Sequence, residues 1–281
     1  MDYELVKFES SFFTLYKLHE GIYAVIATDH ALTGANAGFF DLGDHVILFD
    51  TLAAPNATQD LLNAVEIFTS KKPTMVINSH FHGDHIYGNY AIPSNVPILS
   101  NPTTLAMMKK YTLEKLDEYQ KIAPSEINTY KDQLKTEENP TKIFEIENDI
   151  KFLETILEPN FQLRTPNLLI NDSLIVQGSK RTVHIINVGV AHSEGDIIVY
   201  FPFEKICFMS DLLFENVEPS WAEKETVMPF AVDPLQHYKI LEKYSKKDLK
   251  AVVPGHGKLI SVTSVFEKNM DYLKLKYQEL L

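Results

Sequence analysis

Cysteine is almost missing from this chain: Cys207 is the only one in 281 residues. That excludes an intrachain disulfide and a cysteine-based zinc ribbon. Cys207 lies in the apolar run Ile206-Cys207-Phe208-Met209, which reads as a buried strand. Arginine is nearly as scarce, with only Arg164 and Arg181, so there is no arginine-rich phosphate stripe. Acidic residues outnumber Lys and Arg by 38 to 26, for a net charge of -12, and no nucleic-acid partner is expected of such a surface. No window approaches about 18 uninterrupted apolar residues, the length an apolar helix needs to cross a bilayer. The start, Met1-Asp2-Tyr3-Glu4, is acidic and lacks the basic-then-apolar pattern of an export signal, so the expectation is a cytoplasmic protein.

What is present is an ordinary globular composition, with 45% hydrophobic residues, in a chain long enough for a large core. Short runs rich in branched and aromatic residues predict strands at 13–18, 21–27, 37–42 and 46–49, with Gly43-Asp44 as a hairpin turn. Leu61, Leu62, Val65 and Phe68 recur at helical spacing within 55–70, and a buried strand follows at 75–78. Strands resume near 168–170, 174–177, 182–188, 196–201, 205–209 and 251–253. Helices are expected around 234–244 and from near Ser264, where Glu267 completes a capping-box pattern.

Residues 101–160 differ. They are rich in Lys and Glu and nearly free of strand signals, while Leu105, Met108, Leu116 and Tyr119 fit one helix and Ile143, Ile146, Ile150, Leu153 and Leu157 another. Pro124 and Pro140 punctuate this segment. The reading is one α/β domain over 1–281 with a helical insertion at about 101–160. A lid role is weighed for that insertion, with Met107, Met108 and Tyr111 as substrate-wall residues; the lone Trp221 is a further wall residue.

The densest chemistry is the run His80-Phe81-His82-Gly83-Asp84-His85. Four metal-binding side chains fall within six residues; the bland alternative is a histidine-rich surface turn. Imidazole is the usual protein ligand for zinc, and carboxylate can join it. His80 and His82, two apart at a strand end, point to one side. Asp84 and His85 are adjacent, on a turn that Gly83 eases, and can serve a second point, so two neighbouring metals are expected. Three more residues follow, each expected just past an apolar strand: His192 in Gly189-Val190-Ala191-His192-Ser193-Glu194-Gly195-Asp196, Asp211 in Phe208-Met209-Ser210-Asp211, and His256 in Val253-Pro254-Gly255-His256-Gly257. The other histidines, His19, His30, His45, His184 and His237, read as structural or surface residues.

With Asp50 at the end of Val46-Ile47-Leu48-Phe49-Asp50, these motifs, in this order, resemble the metallo-β-lactamase-fold hydrolases from about residue 20 to 260. The gap of 107 residues between His85 and His192 is long for that family, and the helical insertion accounts for the excess. The resemblance implies a four-layer αββα sandwich with the site at one edge of the two sheets. It also implies that His80, His82 and His192 hold one metal and Asp84, His85 and His256 a second, that Asp211 bridges both, and that Asp50 orients a ligand imidazole. Asp84 and Asp211 are then the catalytic carboxylates. Two Zn2+ ions are the first choice of cofactor, with Fe or Mn as alternatives. The implied chemistry is attack of a bridging hydroxide on a carbonyl or phosphoryl centre.

The substrate is not written in these ligands. Glyoxalase II-type thioesterases add a long helical C-terminal region, whereas 25 residues follow His256 here. Many true β-lactamases place Cys where Asp211 stands, and lactonases often carry helical insertions over an apolar pocket. Nuclease members need a basic surface. The expectation is hydrolysis of a small ester, thioester or lactone. A mononuclear iron persulfide dioxygenase-like oxidoreductase and a β-lactam hydrolase are the alternatives. The partner is a small molecule, with no nucleic acid and no membrane, and the oligomeric state stays open.

Overall fold

Two sheets face each other in a computed structural model that describes residues 3–28, 34–216, 230–259 and 261–278. The first sheet has eight strands in chain order: β1 (Glu4–Val6), β2 (Phe13–His19), β3 (Ile22–Ala27), β4 (Ala37–Asp41), β5 (Val46–Phe49), β6 (Met75–Ile77), β7 (Ile98–Ser100) and β8 (Leu168–Leu169). Pairing is antiparallel from β1 to β5 and parallel from β5 to β8. The second sheet runs β13-β12-β11-β10-β9, from β9 (Ser173–Gln177), β10 (Thr182–Gly189), β11 (Asp196–Phe201), β12 (Ile206–Phe214) and β13 (Ala251–His256).

The layering follows from the period-2 alternation of side chains along a strand. In β4 and β5, Phe39, Val46 and Leu48 join an outer core with Leu61 and Val65 of helix α1 (Pro55–Thr69), while Phe40, Ile47 and Phe49 face the other sheet. In β11 and β12, Ile197, Val199, Phe201, Ile206 and Phe208 meet them across the inter-sheet core, and Ile198, Cys207 and Met209 turn outward. Those outward residues are covered by Ile240, Leu241, Val265 and Phe266, which lie on two helices, Pro234–Ser245 and Val262–Lys276. Helix, sheet, sheet, helix: this is the αββα sandwich.

The short helix α2 (Gly83–Ile86) lies between β6 and β7. Between β7 and β8 the chain is helical: α3 (Pro102–Met107) precedes a π-helical turn at Met108–Thr112, which leads into α4 (Leu113–Gln133), and α5 (Pro140–Ile156) follows. α4 and α5 bury Leu116, Ala123, Ile127, Ile150, Leu153 and Ile156 against each other. The helices beyond the second sheet are α6 (Pro234–Ser245) and α7 (Val262–Lys276).

Several expectations need correction. Pro124 does not interrupt the segment; it lies inside α4, where burial of Ala123 and Ile127 against α5 offsets the lost backbone hydrogen bond. Pro140 does start a helix, after the N-cap Asn139. Helix α7 begins at Val262 after Ser261, so Ser264 is inside the first turn and forms no capping box. Most consequentially, Asp211 is not beyond its strand. Ser210 has φ 46, the register shifts on either side of it, and β12 continues to Phe214 with Asp211 on the kinked stretch. The Gly43 turn is as expected: φ is +97, and Asp41 Oδ1 accepts from the Gly43 amide at 2.9 Å. No helix among the described residues is long and apolar enough to cross a membrane.

Candidate metal centre

The seven ligand-type residues singled out in the sequence converge at one edge of the sandwich. Ligand atoms of His80, His82, His192 and Asp211 lie within 4.8 Å of one another, and those of Asp84, His85 and His256 form a second such group. Asp211 stands between the groups. Its Oδ2 is 3.7 Å from His80 Nε2, 3.3 Å from His192 Nε2 and 3.3 Å from His256 Nε2, while its Oδ1 is 3.1 Å from His85 Nε2. Asp84 Oδ2 lies 3.4 Å from His256 Nε2 and 3.7 Å from His85 Nε2.

Different elements supply these groups. The loop after β6 carries His80 and His82, α2 carries Asp84 and His85, the loop before β11 carries His192, β12 carries Asp211, and His256 ends β13. Gly83 is not a turn residue here. A Cβ on it would lie 2.4 Å from the Tyr87 ring, so its role is to let that ring close over the motif. Gly255 acts similarly, since a Cβ there would fall 1.9 Å from Asp211 Oδ1. Only glycine lets β13 approach the carboxylate so closely.

Hydrogen bonds set the imidazoles. His85 Nδ1 donates to Asp50 Oδ2 at 2.8 Å, and Asp50 Oδ1 accepts from the Ser79 amide at 2.8 Å. Ser210 Oγ donates to Ser79 Oγ, and Ser79 Oγ donates to Asp50 Oδ2, each at 2.8 Å. With its proton committed, Ser79 Oγ accepts from His80 Nδ1 at 2.9 Å. His192 Nδ1 donates to the Phe230 carbonyl at 2.8 Å. In this network His80, His85 and His192 each turn an Nε2 lone pair toward Asp211, with tautomers assigned from the bonding pattern. Asp50 and Ser210 hold φ of 59 and 46, left-handed conformations that cost energy in non-glycine residues.

A cation fits this arrangement. His80 Nε2, His85 Nε2 and Asp211 Oδ1 are buried without a hydrogen-bond partner, the 3.1 Å approach of the last two being poorly aligned as a bond. Lone pairs and carboxylate oxygens facing one another repel unless positive charge lies among them. Acid–base shifts report the same field. Burial lowers the His80 and His82 imidazoles, His82 to about 3, and their imidazole neighbours push them further down. At His85 burial works against protonation, yet Asp211, Asp84 and Asp50 outweigh it and raise the pKa well above the ordinary value. Burial would raise Asp211, but His256 and His85 hold its carboxyl well below the usual range. The donor set, imidazole nitrogens with two carboxylates, is that of zinc and its borderline neighbours.

A cavity of about 770 Å³ opens on the cluster, lined by Phe81, Asp84, Tyr87, Tyr111, Tyr119, Asp211 and His256 among others. Tyr111 is on its wall. Met107 and Met108 are not: Met108 is fully buried with Phe81 and Ile86, and Met107 packs beside them. They anchor the helical segment instead, together with Thr112 Oγ1, which donates to the Phe81 carbonyl at 2.8 Å, and Thr104 Oγ1, which donates to the Gly195 carbonyl at 2.8 Å. Trp221 lies outside the described residues. Ser79 and the Phe230 carbonyl join the candidate site by hydrogen bonds to His80 and His192; Ser210 and Tyr119, which no motif marks, join it through the Ser210–Ser79 hydrogen bond and the cavity wall.

With this fold and this ligand cluster, the chain belongs to the metallo-β-lactamase superfamily, whose family model matches residues 31–256. Among solved structures, 277 chains match. A metallo-β-lactamase from Pontibacter korlensis has a TM-score of 0.60 at 16% identity, over 97% of this chain and 99% of that one. The DIM-1 metallo-β-lactamase gives 0.63 at 13% identity, over 95% and 99%. A metallo-β-lactamase from Erythrobacter litoralis, with β-mercaptoethanol in its active site, gives 0.63 at 13% identity, over 97% and 100%. At such identities the likeness speaks for the fold alone. No curated protein matches the sequence.

Proposed function

We propose that the protein is a dinuclear metal-dependent hydrolase of a small ester, thioester or lactone, acting as one domain over 1–281 with the helical segment as an insertion. The observation that carries this reading is the position of Asp211, within 3.7 Å of imidazole nitrogens from both ligand groups. A carboxylate shared in this way joins two sites into one. His80, His82 and His192 would hold one ion, Asp84, His85 and His256 the other, and Asp211 both. Two Zn2+ ions suit the imidazole majority, with Fe or Mn next. When bound, such a pair supplies a nucleophile from water near neutral pH and Lewis acidity toward a carbonyl oxygen.

The chain's own residues prepare that chemistry. Asp50, Ser79 and the Phe230 carbonyl keep the Nδ1 protons of His85, His80 and His192 pointed away from the site, so their Nε2 atoms are free to bind. Asp84 and Asp211, the proposed catalytic carboxylates, are the acidic ligands among the residues that line the cavity. Phe81 and Tyr87 give it an apolar wall, which limits water around a bound acyl group.

Elemental analysis of protein purified without added metal, followed by a screen of esters, thioesters and lactones, tests the reading. Two zinc per chain with turnover in that screen is the expected result. One iron per chain with oxygen uptake on persulfides would replace it with the oxygenase reading, and turnover confined to β-lactams with the lactamase one.

A further inference from the structure

One face of α4 runs through two cavities. Tyr111, on the π-helical turn, and then Lys115 and Tyr119 line the cavity over the metal cluster; Tyr119, Ile122, Glu126 and Tyr130 line a second cavity of about 410 Å³, completed by Asp149, Phe152 and Leu153 of α5. The spacing 111, 115, 119, 122, 126, 130 is a helical stripe. Tyr87 and Tyr119 line both cavities, so the second is a neighbouring chamber that shares those two rings with the first. From Tyr119 to Tyr130 the helix rises about 16 Å, at about 1.5 Å per residue.

The chemistry of the neighbouring chamber is one-sided. Its walls carry four aromatic rings, Tyr87, Tyr119, Tyr130 and Phe152, and two carboxylates, Glu126 and Asp149, with no basic residue among them. Neither carboxylate has an ion-pair partner among the described residues. Burial raises the Asp149 carboxyl, with Glu145 adding to it; the Tyr130 phenol is raised by burial and then by Asp149 and Glu126, which line the same cavity. The one lysine lining the adjoining cavity, Lys115, is already engaged, its Nζ lying 3.2 Å from Glu118 and 5.3 Å from the Tyr119 ring centroid. Aromatic faces backed by unpaired carboxylates attract cations and repel anions.

We propose that this chamber holds the non-reacting end of the substrate and that this end is cationic, a quaternary ammonium or protonated amine on an apolar body. The proposal rests on the hydrolase reading for the other end, where the acyl group meets the metal cluster. Anionic acyl compounds are disfavoured in the same site.

Two measurements on the whole 281-residue chain test this and separate it from the reading beneath it. Calorimetry with benzyltrimethylammonium is expected to show binding that falls about tenfold or more in a Glu126→Gln, Asp149→Asn double variant, and again in Tyr130→Leu, with metal content and thermal midpoint confirming that the variants fold. Turnover is then compared for benzoylcholine and its neutral isostere 3,3-dimethylbutyl benzoate. An advantage of about tenfold in kcat/KM for the cation, abolished in the double variant, is expected. Cation binding that is absent, or that the variants leave unchanged, overturns the proposal. Ester turnover without charge preference overturns it too, while leaving the hydrolase reading in place. Variant-sensitive cation binding without turnover of any ester, thioester or lactone would retire the hydrolase reading and keep the chamber.

Discussion

Asp50 and His85 are joined by a 2.8 Å hydrogen bond with both side chains fully buried. Through it a residue at the end of β5 sets the ring of a candidate metal ligand on α2, and its charge raises the proton affinity of that ring.

Replacing Asp50 by Asn should therefore weaken metal binding before it weakens the fold. Loss of a carboxylate that orients a ligand imidazole typically costs about 10- to 100-fold in metal affinity. Competition with a chromophoric chelator reads this directly, and an unchanged affinity would remove the orienting role.

Asp84 is partly exposed to the cavity, with 32% of its side chain accessible, so Asp84→Ala should leave folding intact and bring kcat down by about 100-fold or more if both ions act together. Circular dichroism checks the fold. Full activity would sink the dinuclear mechanism.

Metal removal should lower stability by linkage. An ion present at 100 times its dissociation constant stabilises the folded state by about 2.7 kcal/mol, and at about 2–4 °C per kcal/mol the thermal midpoint should drop by about 5–10 °C on exhaustive chelation. Asp211→Asn should abolish most of that metal-dependent shift.

Thr112 ties the π-helical turn to the His motif through the Phe81 carbonyl. Thr112→Val keeps the shape and strands a buried acceptor, at a cost of about 1–2 kcal/mol. Urea denaturation measures this, and the loss should vanish if the turn is not part of the cooperative fold.

Asp41 supplies the pH test away from the site. Burial would raise its carboxyl, but Lys180, Lys71 and the Gly43 amide bring it down to about 2. A carboxylate depressed on folding stabilises the protein above its unfolded pKa and stops doing so as pH falls through the folded one. The stability gap between wild type and Asp41→Asn should be about 1–2 kcal/mol at pH 6, discounted for the half-exposed lysines, and should shrink below pH 4 toward pH 2. A gap constant across that window would contradict the assignment.

Periodicity alone made most elements legible. Val46–Phe49 and Asp196–Phe201 are strands over the spans expected, and the 55–70 helix differs by one residue, because burial against one face repeats every two or 3.6 positions. The ligand types were equally plain, since six residues at 80–85 place four of them side by side. Short-range sequence could not give what depends on distant chain segments. It ended β12 before Asp211, because the kink at Ser210 is stabilised by contacts with Asp50 and Ser79. It put Met107 and Met108 on a substrate wall, whereas Phe81 and Ile86 bury Met108 and pack Met107 beside it. It took Gly83 for a turn residue when the constraint is the Tyr87 ring.

The order and chemistry of the ligands were therefore properties of the sequence by itself, since each motif is local and its residue types carry their own coordination preferences. Which atoms face one another was decided only by the tertiary structure. Asp211 reaches both ligand groups because β12 kinks and β13 approaches it at a glycine, and the α4 stripe lines two cavities because α5 and the His-motif loop pack against it. Hydrogen bonds beside the site join residues up to 221 positions apart, as Asn36 Nδ2 donates to the Gly257 carbonyl, and at such separations only the folded chain brings the partners together.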